Sequence, residues 1–169
     1  MRGRQTSQGV RRAREFEAFV AGAAGRLLHA ATLLTAEPPD DNPRARRLLT
    51  LALAHTYASW DRLRGEDPYD RTRRELALRF ARGTWPGRGR SRASSGSVLA
   101  ALTPQERLVL VLRLFEGVAE EQTAALLGLS AERVRAICAR AMTNLLRPAR
   151  GRAPAALGTE AVETEVTRS

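Results

Sequence analysis

Leu102-Thr103-Pro104-Gln105-Glu106 and Ala124-Ala125-Leu126-Leu127-Gly128-Leu129-Ser130-Ala131-Glu132-Arg133-Val134 decide the fold of this 169-residue chain. The first stretch places a hydroxyl at N-cap, proline at N1 and a carboxylate at N3, the capping-box spacing that opens a helix. Leu108, Val109, Leu110, Val111, Leu112, Leu114 and Phe115 come next, a breadth that suits a helix enclosed by its neighbours. Gly117 is placed to end it as C′. The second stretch predicts a short helix over 119–127, a glycine turn at 128–130 and a longer helix from Ala131 to Leu146 that Ser130 caps. This is helix-turn-helix spacing. Ala124, Leu127, Leu129, Val134, Cys138, Ala141 and Leu145 are expected to share a small core beneath Leu108, Val111 and Phe115. The last helix would then turn outward Glu132, Arg133, Ala136, Ile137 and Arg140, with Arg135 at its flank. Its first amides carry the positive end of the helix dipole and suit a phosphate.

Working back from this unit, Pro86 to Gly96 is Gly, Ser and Arg with almost no apolar residue, which reads as a flexible linker. Pro148 onward lacks large apolar periodicity and reads as a disordered tail. Before the linker, Phe16, Phe19, Val20, Ala23, Leu27, Ala30, Ala31 and Leu34 recur at helical steps until Pro38, Pro39 and Pro43. A second helix is expected over about 44–63, with Leu48, Leu49, Ala52, Leu53, Thr56, Tyr57 and Trp60 inward, and Asp67-Pro68 opens a third. No strand pattern competes. The expected fold is all-α, two small helical domains joined by a flexible linker. Its parts are a basic arm (1–14), a helical domain (15–85), the linker (86–97), the helix-turn-helix domain (98–147) and the tail (148–169).

The chain carries 28 basic residues, all Arg, against 18 acids, a net charge of +10. Nineteen of those Arg fall before residue 96, against ten acids. Such a balance favours a polyanionic partner, because covering phosphates releases counterions. One cysteine excludes an internal disulfide, and two histidines leave little for a metal site. No metal and no cofactor is expected. No run of about 18 uninterrupted apolar residues appears, so no membrane span is expected. The basic start lacks an uncharged apolar core behind it and reads as part of a cytoplasmic protein rather than a signal peptide. No nucleophile-base pair, paired carboxylates or phosphate-cradling glycine loop is present in the sequence, so no enzymatic activity is expected.

Leu102 to Arg107, Leu112-Arg113-Leu114-Phe115-Glu116-Gly117, Ala124 to Ser130, Val134-Arg135 and Arg140-Ala141-Met142 together resemble region 4 of the extracytoplasmic-function sigma factors. These belong to the sigma-70 family of bacterial RNA polymerase, and the likeness is to its compact actinobacterial SigE-like subgroup. Glu15 to Val20, Arg26-Leu27-Leu28, Leu33-Leu34-Thr35, Tyr57-Ala58-Ser59-Trp60, Asp67-Pro68, Arg73-Arg74 and Trp85 resemble region 2 in the family's order, with more departures.

The resemblance implies binding of double-stranded promoter DNA and core RNA polymerase. By position it makes Ser130, Arg133, Arg135, Ile137 and Arg140 the DNA-facing set, with Ile137 standing where the family often has a basic or polar residue. It makes Arg46, Arg47, Leu48 and Thr50 candidates for polymerase docking, and Arg73, Arg74, Arg79 and Trp85 candidates for the melted −10 strand. Arg46 and Arg47 replace two acids of the family's docking helix. An anti-sigma factor is a further candidate partner. The expected function is sigma-like transcription initiation; the alternative is a free-standing helix-turn-helix regulator that no longer docks on polymerase.

Overall fold

The computed structural model describes residues 2–63, 65–83 and 97–147, with side chains from residue 7 onward. Among these residues there is no strand, and six α-helices carry the fold. Helix α1 (Arg2–Thr35) ends where Ala36 turns left-handed, at φ 55°, ahead of Pro38 and Pro39. Helix α2 (Pro43–Ala58) starts on a proline, and the Glu37 carboxylate accepts from the Arg44 and Ala45 amides at 3.1 and 2.8 Å. Glu37 thus satisfies two donors that a helix start otherwise leaves orphaned. A 3₁₀ turn at Trp60–Arg62 leads to α3 (Pro68–Arg82), where Asp67 caps by accepting from the Tyr69 amide at 2.9 Å.

Two expectations change here. The segment expected as a basic arm is already helical from Arg2, and α2 ends at Ala58 rather than near residue 63. Trp85, most of the linker (86–96) and the tail (148–169) lie outside the described residues. Helix α1 contains a stretch, Ser7–Thr35, that is long and apolar enough to cross a membrane by length and composition. Its stripe of Leu27, Ala30, Ala31 and Leu34 is instead buried against Ala45, Leu48, Ala52 and Leu76 as the centre of the core.

Helix α2 packs on both α1 and α3. Two buried threonines pin it to α3, with Thr56 Oγ1 and Thr72 Oγ1 2.9 Å apart and each also bonded to a carbonyl of its own helix. At the end of the layer Phe16, Phe19, Tyr57 and Trp60 cluster with ring centroids 4.8 to 6.0 Å apart. Arg12 lies over Tyr57 at 4.5 Å and pairs with Asp61 at 3.0 Å.

A 3₁₀ turn at Val98–Ala101 precedes α4 (Pro104–Leu110), which continues as a π-helical turn over Val111–Phe115. Helices α5 (Glu120–Leu127) and α6 (Ala131–Leu146) complete the chain's described part. The residues of α4 divide between two sides. Leu108, Val111 and Leu112 join the core of α1, α2 and α3, while Val109 packs with Ala124, Val134 and Ile137. Leu110 forms a third cluster with Leu102 and Ala141. The small core expected beneath Leu108, Val111 and Phe115 therefore sits beneath Val109 and Leu110 instead. The 98–147 unit is seated on the first unit through a common core.

Candidate nucleic-acid interface

The turn between α5 and α6 forms as its chemistry requires. Gly128 adopts φ 66°, and the Leu129 amide closes back on the Ala124 carbonyl at 3.0 Å, the Schellman closure. Ala124, 5% exposed, lets the two helices approach. Ser130 then caps α6, its hydroxyl accepting from the Arg133 amide at 3.2 Å. The capping box at Thr103 is complete: Thr103 Oγ1 accepts from the Glu106 amide, and Glu106 Oε2 accepts from the Thr103 amide at 3.0 Å.

Four of the five DNA-facing candidates are exposed together on α6 or its cap: Ser130, Arg133, Arg135 and Arg140. Ile137 is not. It is fully buried, because positions 134, 137 and 141 form the inward stripe of α6. The exposed groups differ in freedom. Arg135 pairs with Glu120 at 2.8 Å, and Arg140 Nε with Glu106 at 3.0 Å, yet both side chains remain at least half exposed. Arg133 has no ion pair among the described residues. Glu106 also accepts from Asn144 at 3.4 Å. The Thr103 amide and then the Arg140 guanidinium hold its carboxyl below the usual range, against burial, which acts the other way. Arg140 thus fastens α6 to the start of α4 with part of its donor set and offers the rest outward.

On α2, Arg46, Arg47 and Thr50 are exposed, with Arg46 Nε donating to Asn42 Oδ1 at 2.9 Å. Leu48 is 1% exposed and belongs to the core, so it is removed from the docking candidates; Leu51, one turn on from Arg47, is the apolar residue on that outer face. On α3, Arg74 is exposed. Arg79 pairs with Glu75 at 2.6 Å, and Arg73 with Asp70 at 2.8 Å and Glu116 at 3.7 Å. Glu116 and its partners Tyr69 and Arg26 carried no assignment from sequence, since nothing local marks residues that meet across 47 positions or more.

A capped, glycine-turned pair of helices with a basic outer face defines a helix-turn-helix DNA-binding protein. The family described as Sigma-70, region 4 matches residues 98–146. The chain is similar to the RNA polymerase sigma-E factor of Streptomyces coelicolor, 31% identical over 152 residues, covering 78% of this chain and 84% of that one. A protein of the same description from Streptomyces avermitilis is 30% identical over 152 residues, covering 78% and 83%. No solved structure matches. The chain belongs to the sigma-70 family, as an extracytoplasmic-function-type sigma factor, and is a sigma-like transcription initiation factor.

Proposed function

We propose that the chain directs core RNA polymerase to promoter DNA, with α6 entering the major groove and the first unit serving polymerase and the opened strand. The observation that carries this reading is the outer face of α6, where Ser130, Arg133, Arg135 and Arg140 are exposed together. Arginine suits both phosphate and the guanine edge, which it meets with two parallel bonds. Arg133 is exposed and has no ion pair among the described residues, so its whole donor set is open to DNA. The chain would act in the cytoplasm by binding rather than by chemistry of its own. Reconstituted transcription tests this: purified core polymerase with this protein is expected to initiate at a specific promoter, and initiation indistinguishable from core alone would refute it.

A second reading draws on α2. Arg46 and Arg47 are exposed where the family's docking helix carries acids, and like charges facing each other at an interface cost several kcal/mol. A free-standing DNA-binding regulator has no need of that docking. The two readings part in a pull-down with core polymerase, which only the first expects to retain the protein.

A further inference from the structure

The seat of the 98–147 unit contains a charge that the DNA-reading role does not use. The side chain of Glu116 is only 1% exposed. Burying a carboxylate is costly unless its lone pairs are met, and here every group that meets them comes from the first unit. The Tyr69 hydroxyl lies within hydrogen-bond distance of both carboxylate oxygens, at 2.9 and 3.0 Å. Arg26 Nε lies 3.6 Å from one oxygen and Arg73 Nη1 3.7 Å from the other. Arg73 is itself steadied by Asp70 at 2.8 Å.

The residue before it is received as specifically. The Phe115 ring stacks on His29, with centroids 4.9 Å apart and planes 17° from parallel. Arg26 lies 5.5 Å from the same ring centre and donates from Nη2 to the Phe115 carbonyl at 3.1 Å. The backbone is shaped to present the pair. The Glu116 amide bonds the Val111 carbonyl at 2.9 Å and the Val118 amide the Leu112 carbonyl at 2.9 Å, each reaching further back than the four-residue step of a regular helix. One extra residue in a turn rotates the succeeding side chains by about 100° around the helix axis. Phe115 and Glu116 are thereby aimed at α1 and α3, while Val109 and Leu110 remain facing α5 and α6.

We propose that Arg26, His29, Tyr69 and Arg73 form a receptor on the first unit for an aromatic side chain followed by a carboxylate, filled within the same chain by Phe115 and Glu116. Filling it holds the DNA-reading unit against α1 and α3. The receptor adds charged and stacked contacts to the apolar packing of Leu108, Val111 and Leu112 on the first unit.

The test is a distance measurement on the full chain. Spin labels at Ala54→Cys and Ala139→Cys, both exposed positions on separate units, are placed in a Cys138→Ala background. The parent is expected to show one narrow distance distribution. Tyr69→Phe, which removes only the hydroxyl, and Glu116→Gln are each expected to raise a longer-distance population at least fivefold. Combined, they should raise it no further than the larger single effect. Helical content should stay unchanged. An equally narrow distribution in every variant overturns the proposal, as does a parent already broad. Loss of helix without the second population also overturns it, because the carboxylate would then support the fold and not the joint.

Discussion

At Glu106 one carboxylate accepts from the Thr103 amide and hydroxyl, the Arg140 guanidinium and the Asn144 amide. The folded carboxyl is held below its unfolded value, so its contribution is present at neutral pH and is lost as pH falls through the lowered folded value. Melting temperature is therefore expected to fall as pH drops below about 4.3, the ordinary glutamate value. Glu106→Gln should lower the melting temperature at pH 7 and flatten that acid limb. Thr103→Ala removes the cap oxygen and should cost about 0.5–2 kcal/mol, read from denaturant melts. Arg133→Ala should weaken duplex promoter binding by about 1–3 kcal/mol if it reads a base edge, and less if it meets phosphate; a titration at fixed salt checks it. Ile137 marks where residue-level reading slipped. It lies three residues after Val134 and four before Ala141, an inward period visible in the sequence, yet the expected outer face runs through it beside Ala136 and Arg140, and the family resemblance keeps it there.

Helices with mixed faces and marked ends were legible. The caps at Asp67, Thr103 and Ser130 and the turn at Gly128 form as their residues dictate, because each is settled within a few residues. Helix α4 was legible as a buried helix but not in its facing, since an apolar run without polar interruption has no periodicity to orient it. Leu108 and Val111 went to one side and Val109 to the other, a division set by the two surfaces it separates. The same applies to the start of α1, whose first residues lack an apolar period and nonetheless continue the helix. At this scale the crossing of α5 and α6 carries the prediction. Ala124→Leu overpacks the cluster of Val109, Val134 and Ile137 and should cost about 1–3 kcal/mol. Gly128→Ala forces a side chain onto φ 66° and should cost about 1–2 kcal/mol. Denaturant melts of the full chain check both; unchanged midpoints would move the crossing point elsewhere.

Across the whole molecule, one family pattern is carried by two units that the sequence presents as separate and the structure seats together. The seat was invisible in the sequence because its determinants are scattered: Arg26 on α1, Tyr69 and Arg73 on α3, Glu116 beyond the π turn. The outer face of α2 remains exposed on the first unit, with Arg46, Arg47, Thr50 and Leu51. If that face meets a polymerase surface complementary to acids, as the family's docking helix does, the two arginines oppose it. The combined change Arg46→Glu with Arg47→Asp should then tighten binding to core polymerase. The gain should shrink as salt rises, because exposed charges are screened over about 8–10 Å near physiological ionic strength. Arg46 also donates to the buried Asn42, so its replacement takes a donor from that amide oxygen, a cost to folding that a melt of the variant reads separately from polymerase binding. In a chain acting only as a free regulator, the same change leaves polymerase binding absent and trims nonspecific DNA affinity. A pull-down at two salt concentrations separates these outcomes, and strong wild-type binding indifferent to the reversal would place the contact on a face other than α2.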